Sequence, residues 1–211
     1  MTSVIDLLKL PVKLATSAST VFGVRSGTEH PEYTVLDRVG AVEIRRYGPR
    51  VAAETDVDAD ESEARNVGFR RLAGYIFGGN RTRASIAMTA PVAQRRDGGQ
   101  RIAMTAPVAQ TTDGGRSTIR FYMPSTFDLH SLPEPDNPRV RLVPVPAEVV
   151  AVLRYTGDRS PAAVEEKRAS LLRTLAGSSY QPSGEPFSWF YDPPFTVPFL
   201  RRNEVAVAVS E

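Results

Sequence analysis

The stretch from Val42 to Ala64 can be laid without gaps on the stretch from Val140 to Ala162. Val42, Ile44, Val51 and Ala53 fall on Val140, Leu142, Val149 and Ala151, and a Gly48-Pro49 turn falls on Pro146-Ala147. Identity between the copies is slight, so what recurs is a pattern: two strand-like runs, a turn between them, and then a helix. A chain that uses such a unit twice has to bury two equivalent apolar helix faces, and the economical way is a shared sheet. The expectation is an α+β fold: a tandem pseudo-twofold repeat forming a curved antiparallel eight-stranded sheet or distorted barrel with two main helices. The repeat halves cover about 33–124 and 139–209.

Both helices are punctuated. Asp60 followed by Glu63 reads as a capping box, and Gly78-Gly79 ends the first helix, which spans about 61–77. In the second, about 161–176, Ser160 caps, Pro161 sits at the first helical position and Gly177 terminates. The apolar positions are Val67, Phe69, Leu72, Ala73 and Ile76 in one helix and Val164, Leu171, Leu172 and Leu175 in the other. Tyr33–Val39, Ile86–Ala93, Ile102–Ala109, Thr118–Met123, Phe187–Tyr191 and Glu204–Val209 read as strands. A second repeat is literal: Ile86 to Gln94 recurs letter for letter as Ile102 to Gln110, across a turn containing Asp97-Gly98-Gly99. This predicts a hairpin whose Pro91 and Pro107 place it at an edge or bend it.

Composition excludes several classes. The 211 residues include no cysteine, which removes disulfides, thiolate metal sites and thiol catalysis. Lys+Arg number 26 against 24 Asp+Glu, and a net charge of +2 gives no electrostatic footprint for nucleic acid. Residues 1–22 form a separate N-terminal segment, apolar but interrupted by Asp6, Lys9, Pro11 and Lys13, which fits neither a secretory signal nor a transmembrane segment. Loose docking on the domain and peripheral membrane contact through an amphipathic N-terminus both fit it. A cytoplasmic location is expected, and the oligomeric state is unknown from sequence.

Several motifs together resemble the SOUL family of haem-binding proteins. They are Tyr33-Thr34-Val35, Val42-Glu43-Ile44-Arg45-Arg46-Tyr47, the two Met-Thr-Ala-Pro-Val runs, Tyr191-Asp192-Pro193-Pro194 and Arg201-Arg202-Asn203-Glu204-Val205. The likeness covers roughly residues 23 to 209, within one SOUL-like domain of 23–211, and the doubled Ile-Ala-Met-Thr-Ala-Pro-Val is similar to the bacterial branch. The resemblance implies a gyrase-inhibitor-like domain that binds haem or related tetrapyrroles reversibly, for transport, buffering or sensing. It further implies that the ligand lies against the first helix, with Phe69, Leu72, Ala73 and Ile76 forming an apolar groove and Arg65 facing the propionates. A basic residue that some members carry after Tyr-Asp-Pro-Pro is Thr196 here.

Haem as bound cofactor needs an apolar wall, a cationic rim and, optionally, an iron ligand. His30 and His130 both read as loop residues, Met88 and Met104 as core filling, and Tyr75 is a phenolate on the first helix, so the axial ligand is left unassigned. Burying about 400 Å² of porphyrin at roughly 25 cal/mol/Å² yields on the order of 10 kcal/mol before association costs, which makes an iron ligand dispensable. Two alternatives stand beside this reading: a small-molecule-sensing or interaction module with another apolar ligand, and a cleft hydrolase using Glu54 with Asp56 on the same strand face. No Ser–His–Asp order, phosphate loop or metal-ligand spacing appears, so no catalytic residue is assigned and a binding protein, not an enzyme, is expected.

Overall fold

A computed structural model describes residues 29–81, 100–113, 116–192 and 196–210. The expectations for residues 1–22 and for the strand Ile86–Ala93 lie outside them. Twelve strands are described: β1 (Tyr33–Val39), β2 (Val42–Tyr47), β3 (Arg50–Asp58), β4 (Asn80–Arg81), β5 (Val108–Asp113), β6 (Arg116–Tyr122), β7 (Glu134–Pro135), β8 (Arg141–Val145), β9 (Glu148–Tyr155), β10 (Gln181–Pro182), β11 (Phe187–Phe190) and β12 (Asn203–Ser210). The helices are α1 (Glu61–Ile76), between β3 and β4, and α2 (Pro161–Leu175), after β9. The main sheet is a curled antiparallel half-barrel in the order β1-β2-β9-β12-β11-β5-β6-β3-β8, with β10 paired to β12 and a separate β4-β7 pair. It therefore has more strands than the eight expected, among them the short β10, which was not read from the sequence.

The two halves pair in matching registers. Glu43 on β2 faces Val152 on β9, and Arg141 on β8 faces Glu54 on β3. Tyr47 faces Glu148, and Val145 faces Arg50. The displacement that superposes Val42 on Val140 turns the first partner of each comparison into the second.

Helix starts follow the expected chemistry. Asp60 accepts from the backbone N–H groups of Ser62 and Glu63 at 2.9 and 3.0 Å, and Ser160 accepts from Ala163 with Pro161 in the first turn. Gly78, at φ 112°, takes the left-handed conformation after α1. Gly177 does not play that part after α2: the Ser178 N–H and hydroxyl both donate to the Leu175 carbonyl, so a side chain closes the helix instead.

Alternation along the strands separates two faces. Val42, Ile44, Ala151, Val205 and Val207 pack with Val164, Leu171 and Leu175 of α2. Ala53, Ile119 and Phe121 pack with Leu72, Tyr75 and Ile76 of α1. The face turned away from the helices carries Tyr47, Ala52, Ala109, Tyr122, Val150, Val152, Trp189 and Ala206. The strand expected from Ile102 begins only at Val108, after Pro107, which lacks the N–H a ladder requires. It is not an edge strand, since β11 and β6 flank it.

Candidate functional site

α1 lies close to the sheet because Gly68 has no side chain: a Cβ there would come within 2.4 Å of Ile119 Cγ1. That approach partitions the apolar positions of the helix. Leu72 is 0% and Ile76 1% exposed, so both belong to the core and offer no surface to a guest. Phe69 remains 38% exposed, its ring edge-on to Phe121 at 5.4 Å, and Ala73 is half-buried. Phe77, which sequence reasoning did not single out, is 58% exposed just past the helix end. Arg65, Phe69, Ala73 and Phe77 follow one another at four-residue spacing and thus run along one side of α1. The four residues expected to form the groove are thereby divided: Phe69 and Ala73 lie on the outer side and Leu72 and Ile76 face the sheet, while Arg65, expected at the propionates, is half-buried with its guanidinium over Phe190.

Cations gather at the Arg65 end of this stripe. The Arg65 guanidinium stacks over Phe190 at 4.5 Å, and burial lowers its pKa. Arg159 donates to the Asp192 carbonyl at 3.1 Å; burial, and then the charges of Arg65 and Arg201, bring its pKa down to about 10, which leaves it a cation at neutral pH. Nearby, burial pushes the Tyr155 phenol up to about 12, and its buried hydroxyl has no hydrogen-bond partner. Repulsion among these arginines makes an incoming carboxylate favourable there.

The remaining candidates are placed as follows. Tyr75 is buried and donates to the Pro133 carbonyl at 3.0 Å, away from the outer stripe. His130 is exposed; His30 is half-buried, with Nδ1 3.2 Å from the Ala106 carbonyl and its ring 5.7 Å from that of Tyr191. Met104 is 39% exposed rather than core, because its segment is not a strand, and Met88 lies outside the described residues. Among the described residues no three His, Asp or Glu side chains cluster as a metal site, and no helix is long and apolar enough to cross a membrane.

Glu54 is not solvent-facing: it is buried under Arg120, at 2.7 Å, and Arg141, at 3.0 Å, each taking one of its oxygens. Asp56 accepts from Arg141 at 2.8 Å and from Thr118 at 2.8 Å. Both oxygens of each carboxylate thus accept at least one hydrogen bond.

The motif residues that carried the resemblance meet on the face away from the helices. Glu204, fully buried, accepts from Arg45 at 3.0 Å, from Arg202 at 2.7 Å and from the Tyr191 hydroxyl at 2.7 Å, and Arg45 also reaches Glu43 at 2.8 Å. The Arg45 guanidinium lies 4.4 Å from the centre of the Tyr33 ring, and Asp192 accepts from the Arg202 N–H at 2.6 Å. Residues 33, 45, 47, 191, 202 and 204, scattered through the sequence, are thus one connected group.

No curated protein matches. Among solved structures, the EcmrR C-terminal domain superposes with TM-score 0.58 at 7% identity, over 85% of this chain and 98% of that one. EcmrR in an EcmrR–DNA complex gives TM-score 0.52 at 8% identity, over 99% of this chain and 67% of that one. A hydrolase from Listeria innocua gives 0.48 at 12%, over 88% and 94%. At such identities the first two likenesses speak for the fold alone. The sequence profile of SOUL heme-binding protein matches residues 28–208, nearly the whole chain, and the protein belongs to the SOUL heme-binding family.

Proposed function

We propose that this chain binds haem or a related tetrapyrrole on the outer side of α1, as a carrier, buffer or sensor in the cytoplasm rather than as an enzyme. Membership of a haem-binding family carries this reading. The stripe of Arg65, Phe69, Ala73 and Phe77 supports it, since it offers two exposed aromatic rings for a flat apolar face and a cationic end for carboxylates. Arg159 adds a second positive charge at that end. No axial ligand is assigned, and affinity resting on apolar contact and charge would not require the iron. The matching registers of β2·β9 and β3·β8 further support a single domain built from two repeat halves, 33–124 and 139–209.

The test is an absorption titration with haemin and with iron-free protoporphyrin. Saturable binding of both is expected, weakened about tenfold or more by Phe69→Asp and by Phe77→Asp, which place a charge against the porphyrin face, with the more exposed Phe77 as the milder change to the fold. Leu72→Asp cannot serve, because that side chain is fully buried. Absence of a Soret shift, or unchanged binding in both variants, would overturn the proposal.

A further inference from the structure

On the face of the sheet turned away from α1 and α2 there is a cavity of about 180 Å³. Its walls include Tyr33, Tyr47, Arg50, Tyr122, Trp189 and Arg202. The rings brace one another: Tyr33 and Tyr47 centroids are 5.2 Å apart and Tyr47 and Trp189 5.4 Å. Burial raises the phenol pKa values of Tyr47 and Tyr122, so both stay neutral hydroxyls at physiological pH. The volume is below the roughly 300–1,000 Å³ of drug-sized sites and suits a single or fused aromatic ring bearing a small polar group.

Arg50 supplies the chemical selectivity. Its side chain is 10% exposed, and its guanidinium sits 4.5 Å from the Tyr47 ring centre and 4.7 Å from that of Tyr122. One nitrogen, Nη2, pairs with Glu148, while Nε and Nη1 are buried without any hydrogen-bond acceptor. Two unmatched donors on one buried cation are costly. Arg202, by contrast, is taken up by Glu204 and Tyr191. A ligand oxygen reaching Arg50 would satisfy what the protein itself leaves open.

We propose that this cavity is a second ligand site, distinct from the α1 stripe, that takes a small planar aromatic carboxylate stacked among Tyr33, Tyr47 and Trp189 with its carboxylate on Arg50. The site does not depend on haem binding.

Trp189 is the only tryptophan in the chain and lies in the cavity wall, so its fluorescence reports occupancy directly. 4-Nitrobenzoate, a planar carboxylate that quenches indole emission, is titrated against the full chain, with nitrobenzene as the probe lacking the carboxylate. Saturable quenching by 4-nitrobenzoate is expected, with nitrobenzene at least about tenfold weaker, the difference a charged hydrogen bond makes. Arg50→Gln should erase the preference for the carboxylate. Tyr33→Ala, at a rim position 39% exposed, should weaken both probes in a chain that still melts cooperatively, which covers the case in which Arg50→Gln does not fold. Phe69→Asp should leave 4-nitrobenzoate binding as in the parent chain, whatever it does to haemin. Purely collisional quenching, equal affinity for the two probes, or displacement of 4-nitrobenzoate by haemin would overturn the assignment.

Discussion

Arg45 on β2 and Glu204 on β12 stand on either side of β9 and join across it, at a depth where an unpaired charge costs several kcal/mol. Three donors on Glu204 and two carboxylates around Arg45 offset that cost, so the network fixes the relative position of three strands. Nearer the surface, carboxylates paired with arginine make stability depend on pH. The Arg141 hydrogen bond, opposed by partial burial and assisted by Thr118, holds the Asp56 carboxyl below its ordinary range. For Glu43 burial pushes upward, but the hydrogen bonds from Arg38 and Arg45 outweigh it. A depressed native pKa stabilises the fold fully above the unfolded value, and the contribution is lost as pH falls through the native one. The urea midpoint should therefore hold from pH 7 to about 5 and fall below about pH 4. Asp56→Asn should lower the midpoint at pH 7 and flatten part of that acid decline; a uniform drop with the same pH slope would show that Asp56 stays unperturbed.

At the scale of elements, α1 is positioned by one missing side chain. Replacing a helical glycine with alanine ordinarily gains about 0.5–1 kcal/mol in propensity. At Gly68 the new methyl would collide with the buried Ile119, and overpacking costs about 1–3 kcal/mol, so the clash wins. Gly68→Ala should lower stability, whereas Gly74→Ala, where a Cβ meets nothing within 4 Å, should raise it; urea unfolding of both variants checks the pair. Local chemistry made the helices legible in advance: Asp60, Ser160 and Pro161 mark starts that hydrogen bonding and a fixed φ enforce without help from elsewhere. The same source could not say which part of α1 the sheet covers. Its apolar arc is wider than the strip of contact, and only packing assigns Leu72 and Ile76 to the core and leaves Phe69 and Phe77 outside. The Ile102–Pro107 run read as strand because its composition is apolar, yet no ladder forms there among the described residues.

Over the whole molecule, one curled sheet carries both helices on one side and a ring of tyrosines and charges on the other. The pairing of β2 with β9 and of β3 with β8 relates positions that the gapless match of Val42–Ala64 on Val140–Ala162 also relates. The cavity was not legible in the sequence, because its walls come from residues as distant as 33, 50, 122 and 189, whose meeting is a property of strand order. Each side of the sheet then presents its own set of groups: exposed rings with a cationic end on α1, enclosed rings with an unsatisfied guanidinium opposite. The decisive measurement is the paramagnetic broadening of backbone amide signals by bound haemin, with the zinc porphyrin as diamagnetic reference. Broadening concentrated on residues 65–77 is expected; broadening centred on Tyr47, Trp189 and Tyr191, with α1 left sharp, would contradict the placement of the tetrapyrrole.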